Sequence, residues 1–125
     1  MHFDFNQILW ILGRLLLGGL FVVGGVRHFF IVPAIAQVMA ARGVPAPRLV
    51  LVAGSVFQVA AGLLLILGIS VLLASLGLAI FTVAASVMLL NFWDMEGTAR
   101  DTARNNWLSN IAIIGGLLIA AAHSI

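Results

Sequence analysis

Four apolar runs, at residues 8–26, 49–67, 69–90 and 108–125, take up most of this chain and leave only short polar stretches between them. A hydrocarbon core of about 30 Å is crossed by about 20 helical residues, so each run has the length of a membrane span. In lipid every backbone N–H and C=O must find its partner inside the protein, and a run of this length does so as a helix. The alternative of a water-soluble core fails on composition. With 63% hydrophobic and 8% charged residues and a mean hydropathy of +1.22, too little polar surface is left to cover such a core. The expected fold is therefore all-α: a single domain over residues 1–125, built as an integral membrane antiparallel four-helix bundle.

The connections refine this picture. Met1 to Gln7 carries Asp4 and no basic residue, so the first run reads as a retained span rather than a cleavable signal peptide. Between residues 27 and 48, Pro33, Gly43, Pro45 and Pro47 bracket a segment, Ala34 to Arg42, with Ile35, Val38 and Met39 at helical spacing. This spacing predicts a short interfacial helix followed by a turn. Gly68 alone separates the second and third runs, which makes those helices antiparallel neighbours joined by a tight hairpin at a nearly uncharged end. Residues 91–107 collect Asp94, Glu96, Arg100, Asp101, Arg104, Asn105 and Asn106 and read as a polar loop.

Six arginines and no lysine stand against three aspartates and one glutamate, too sparse a set for a nucleic-acid footprint. They act instead as topology signals. Arg27, Arg42 and Arg48 lie in the first connection and Arg100 and Arg104 in the third, with none in the other extramembrane segments. The positive-inside rule puts loops 27–48 and 91–107 in the cytoplasm and both termini outside. Trp10, Trp93 and Trp107 fall near span ends, where indoles favour the headgroup region.

The absence of cysteine excludes disulfides, thiolate metal sites and dithiol chemistry. A bis-histidine haem site is also disfavoured, because His28 and His123 end the first and fourth spans on opposite faces, about 30 Å apart. His2 and His123 read as terminal and solvated, and His28 beside Arg27 as a headgroup or loop contact. Asp94, Glu96 and Asp101 lack regular metal-ligand spacing, so no metal is expected.

Two polar residues inside spans carry more information. Arg14 would cost about 2.5–3.5 kcal/mol near a helix centre, and two readings stand: snorkelling to the outer headgroups, or an inward guanidinium holding an anionic or carbonyl group such as a quinone oxygen. Gln58, mid-span, must face inward, either as an interhelical hydrogen bond or as a ligand contact. Ser55, Thr82 and Ser86 can bond their own helix backbone and receive no role. Small residues at Ala112, Gly116 and Ala120, and at Gly18 and Gly25, predict close helix packing.

The order and spacing of Gly13-Arg14-Leu15-Leu16-Leu17-Gly18, Phe21, Gly25, Arg27-His28-Phe29, Gly43-Val44-Pro45-Ala46-Pro47, Gly62-Leu63-Leu64-Leu65, Asn91-Phe92-Trp93 and Asn110-Ile111-Ala112 before Gly115-Gly116 resemble the DoxX family over nearly the whole chain. The resemblance implies a small four-helix protein of the bacterial inner (cytoplasmic) membrane. Several such proteins are tied to redox systems, including a quinone-reducing thiosulfate oxidoreductase and assemblies for oxidative-stress defence. It also singles out Arg14, His28, Gln58, Asn91, Trp93 and Asn110 as ligand or quinone candidates. One departure stands out: the family usually carries a glutamate just before the glycine-leucine run, where this chain has Gln58, which weighs against proton-coupled catalysis or transport.

Three functions follow as expectations. The first is an accessory or anchoring subunit of a membrane redox system, not catalytic alone, contributing Arg14 and Gln58 to a quinone pocket and drawing electrons from a membrane or peripheral redox partner. The second is a small-molecule transporter, against which stands the lack of a carboxylate in any span. The third is an assembly or scaffold factor that binds other membrane helices or itself.

Overall fold

A computed structural model of the chain describes residues 4–124, which form five α-helices: α1 (Phe5–Phe30), α2 (Val32–Ala41), α3 (Pro47–Leu67), α4 (Val71–Leu89) and α5 (Gly97–His123). Of these, α1, α3, α4 and α5 are long and apolar enough to cross a membrane. Helix α1 packs chiefly along α3, α3 along α4, and α4 along α5, while α5 returns to touch α1. Spans consecutive in sequence are thus neighbours in space, as the short connections require. Local sequence sets the ends. Asp4 and Gln7 form a reciprocal capping box at the start of α1, with the Gln7 N–H donating to Asp4 Oδ1 at 2.8 Å. Pro47 opens α3, where its missing N–H costs no helical hydrogen bond.

The closest helix contact is glycine on glycine. A methyl group at Gly18 would lie 2.6 Å from the Gly62 carbonyl oxygen, and one at Gly62 would lie 2.9 Å from that of Gly18. Backbones approach this closely where small residues meet, and in lipid such van der Waals fit holds helices together. Gly18 and Gly25 both face α3, as expected of the first span. The fourth-span stripe holds only in part: Ala120 is buried in the core, a methyl at Gly116 would meet only the Leu17 side chain at ordinary contact distance, and Ala112 is exposed. Leu65, Leu78 and Leu117, from α3, α4 and α5, are completely buried at the bundle centre. Leu16, Leu73, Ile80 and Ile119 are each more than 70% exposed, an outer surface suited to acyl chains.

One local expectation is corrected. The segment 97–107 is not loop but the first turns of α5, which runs 27 residues from Gly97, about 40 Å and longer than the hydrocarbon core. After Gly97 the polar run contains no proline, buries Ala103, and carries an exposed Asp101–Arg104 pair at 3.8 Å along the helix surface, so nothing in it breaks a helix. The short helix expected in the first connection is present as α2; it packs on α3, α1 and α4, burying Ala36 and Met39 and leaving Val38 exposed.

Candidate functional site

The polar side chains of the spans gather at two levels. On α1, His28 lies two residues before the end, and its ring Nδ1 is 3.2 Å from Ser55 Oγ on α3. One turn further along α3, Gln58 is buried and donates from Nε2 to the Phe21 carbonyl oxygen at 3.0 Å. Since that partner can only accept, the amide orientation is fixed, and its oxygen and second N–H point elsewhere. The interhelical bond expected of Gln58 is present.

Across the bundle, Asn110 of α5 donates from Nδ2 to Ser86 Oγ at 2.8 Å, and Ser86 donates in turn to the Thr82 carbonyl at 2.7 Å. Thr82 donates to the Leu78 carbonyl at 2.8 Å. The serine and threonine therefore do bond their own helix one turn back, as their position allows. The direction of this chain is fixed as well, which leaves Asn110 with a spare N–H and its carbonyl oxygen.

These groups border one cavity of about 570 Å³, lined by Phe21, His28, Met39, Gln58, Phe81, Thr82, Ser86, Asn110 and further apolar residues of α3 and α4. Exposed Val50 and Ala84 are also among its lining residues, so it opens outward along α3 and α4. A largely apolar recess of this size with a few convergent polar groups is the usual form of a small-molecule site.

Arg14 does not belong to it. Its guanidinium reaches to the end of α3, where Nη1 donates to the Leu65 carbonyl at 3.4 Å, and it lies over the Trp10 ring at 5.4 Å. Leu65 is seven residues beyond Gln58 on α3, about 10 Å along the axis. The joint pocket of Arg14 and Gln58 is therefore not formed. The cation sits at the negative end of α3, worth about 0.3–1 kcal/mol, and over an indole, worth about 0.5–2 kcal/mol, which together approach the insertion cost of the guanidinium. This also changes the charge of the α3–α4 hairpin end, read from sequence as nearly uncharged: it receives a cation from within α1.

Asn91 and Trp93 lie apart from the cavity. Asn91 precedes a single 3-10 turn, Phe92–Asp94, and donates to Asp94 Oδ2 at 3.2 Å. Trp93 meets Phe92 edge-to-face and Trp107 at a tilt, with centroid separations of 5.5 and 6.1 Å. His28, expected at headgroups or a loop, instead turns inward to Ser55 because α1 continues past it to Phe30. His123 packs on Trp10 at 4.1 Å, at the end of the molecule opposite His28; His2 lies outside the described residues. No metal-holding group of three His, Asp or Glu occurs among the described residues.

Of the six candidate residues, then, His28, Gln58 and Asn110 come together, and Arg14, Asn91 and Trp93 do not. Sequence reasoning passed over Ser55, Thr82 and Ser86. Their signal was present: Ser55 and Gln58 are three apart on α3, and Thr82 and Ser86 four apart on α4, which puts each pair on one helix face.

Comparison with known proteins bears on this arrangement. The DoxX family model matches residues 9–91, from α1 to the end of α4. The inner membrane protein YphA of Escherichia coli (strain K12) is 27% identical over 123 residues, covering 96% of this chain and 88% of that protein. No solved structure matches the chain.

Proposed function

Because this chain belongs to the DoxX family, we propose that it is an accessory membrane subunit of a quinone-linked redox system, which holds a quinone ring in the cavity bordered by His28, Gln58 and Asn110. The observation that supports this reading is the directionality of the polar groups. Gln58 and Asn110 each spend one N–H on a fixed protein acceptor and keep a second, and the His28 ring has a nitrogen beyond the one at Ser55. A quinone carries two carbonyl acceptors on an apolar ring, which matches spare donors in an otherwise apolar recess. A bound quinone supplies the capacity to take up electrons and protons. The chain's own residues bind and orient it: Phe21, Met39 and Phe81 pack the ring, and the amides hold its oxygens.

The cavity's opening along α3 and α4 suits a ligand that partitions into lipid. No haem pair, thiol pair or flavin motif occurs in the sequence, so electrons enter from a partner oxidoreductase. By analogy with its Escherichia coli relative the protein resides in the inner membrane, with residues 27–48 and 91–107 on the cytoplasmic side by the arginine bias.

The test is purification of the tagged protein from native membranes in mild detergent, with mass spectrometry of co-purifying proteins and extracted quinones. The expected result is bound quinone near one per chain, an accompanying oxidoreductase, and loss of the quinone from Gln58→Leu and Asn110→Leu proteins that remain folded. A folded wild-type protein carrying neither quinone nor partner overturns the proposal.

A further inference from the structure

At the end of the bundle opposite His28, a second recess of about 620 Å³ is lined by Trp10, Arg14, Gly68, Ser70, Val71 and His123, among others. We propose that this recess binds a phosphate ester, with the Arg14 guanidinium and the N-terminus of α4 as its anion-holding groups. It is independent of the quinone cavity, which shares none of these residues.

Three features support it. The guanidinium offers five N–H donors in a planar fork suited to two phosphate oxygens. Among the described residues it makes one hydrogen bond, the long one to Leu65, and its Nε is buried with no partner. The one carboxylate within α1, α3, α4 or α5, Asp101, pairs with Arg104 and lies 22 residues before His123 along α5, too far away to neutralise it. Next, α4 begins beside it. Ser70 precedes the helix with a left-handed backbone and makes no side-chain cap bond, so its hydroxyl and the first N–H groups of α4, at Val71 and Leu72, remain available where they border the recess. Those N–H groups carry the positive end of a 19-residue helix dipole.

Gly68, finally, keeps the approach clear. Its φ of +76° turns the chain from α3 toward α4, and a methyl group there would collide with Arg14 Nη1. Trp10, with His123 packed on it, walls the other side and holds the guanidinium from its face. The position, at span ends beside an indole, is the depth of lipid phosphates. A phospholipid headgroup and a free phosphate share this chemistry, and the experiment separates them.

The protein is delipidated in a non-ionic detergent, and binding is measured by native mass spectrometry and by thermal shift. The probes are phosphatidylglycerol, diacylglycerol of the same acyl chains, and inorganic phosphate. The expected result is that phosphatidylglycerol binds at least tenfold more tightly than diacylglycerol, and that Arg14→Gln removes this preference. Ser70→Ala and His123→Ala, which leave the α1–α3 contact untouched, test the site if the arginine variant does not fold, and Ser70→Ala should weaken binding several-fold. Competition by inorganic phosphate identifies the free anion as a ligand; lack of competition assigns the site to the lipid. Equal binding of the two lipids, or unchanged phosphatidylglycerol affinity in folded Arg14→Gln or Ser70→Ala protein, overturns the proposal.

Discussion

Gly18→Ala adds one methyl group where the backbones of α1 and α3 touch, and the structure gives its cost. The new carbon would lie 2.6 Å from the Gly62 oxygen, 2.7 Å from Ile66 Cγ1 and 3.2 Å from the Ile66 nitrogen. The Ile66 side chain can rotate away, but two of these atoms are backbone and move only with the helix. Reaching ordinary contact requires α1 and α3 to part locally by about 0.4–0.8 Å, a gap that forfeits about a quarter to a half of the dispersion energy of the atom pairs involved.

Overpacking of this kind costs about 1–3 kcal/mol, offset by about 0.5–1 kcal/mol from the better helix propensity of alanine, for a net loss centred on about 1 kcal/mol and reaching about 2.5 kcal/mol. A methyl group added at Gly13 or Gly19, on the same helix, would have nothing within 4 Å, so alanine there should be neutral or slightly stabilising. The assay is unfolding from mixed micelles by increasing sodium dodecyl sulfate, followed by helicity, on all three variants. Gly18→Ala should unfold at lower detergent fraction than wild type, with Gly13→Ala and Gly19→Ala at or above it. Equal behaviour of the three variants would refute the close backbone contact. The separation should also stretch the Gln58 bond to Phe21, one turn along α1 from Gly18, and so reduce quinone retention.

Further predictions concern the polar groups and the topology. Asn110→Leu and Ser86→Ala should each cost about 0.6–2 kcal/mol in the same unfolding assay, and the double variant should cost clearly less than their sum because both break the one 2.8 Å bond; simple additivity would show that the two side chains do not interact. Gly68→Ala should destabilise by about 1–2 kcal/mol through its left-handed backbone and, by pushing on Arg14, should also weaken binding of phosphatidylglycerol. The natural absence of cysteine allows clean labelling: Ser124→Cys should react with a membrane-impermeant maleimide on intact cells, and Arg100→Cys only after permeabilisation. The reverse pattern would invert the proposed orientation.

The number of spans, their order around the bundle and the need for Gln58 to face inward were all legible in the linear sequence. They follow from run length, short connections and the cost of an unsatisfied amide in lipid, which are properties of a segment and its immediate neighbours. The end of the polar region at α5 was not, since a charged stretch outside the membrane can be loop or helix, and packing of Ala103 and Trp107 decides which. The functional groups divide in the same way. The residue pattern marks Arg14 and Gln58 as polar groups in apolar surroundings and the DoxX resemblance adds His28 and Asn110, but only the crossing of α1 on α3 at Gly18 and Gly62 sets the relative heights of the first three. That crossing carries Arg14 to the end of α3 and brings His28 level with Ser55, so one residue leaves the cavity and the other enters it. Sequence determined which side chains must find partners; the tertiary structure alone decided which partners they find, because a hydrogen bond between helices depends on a register that no single helix contains.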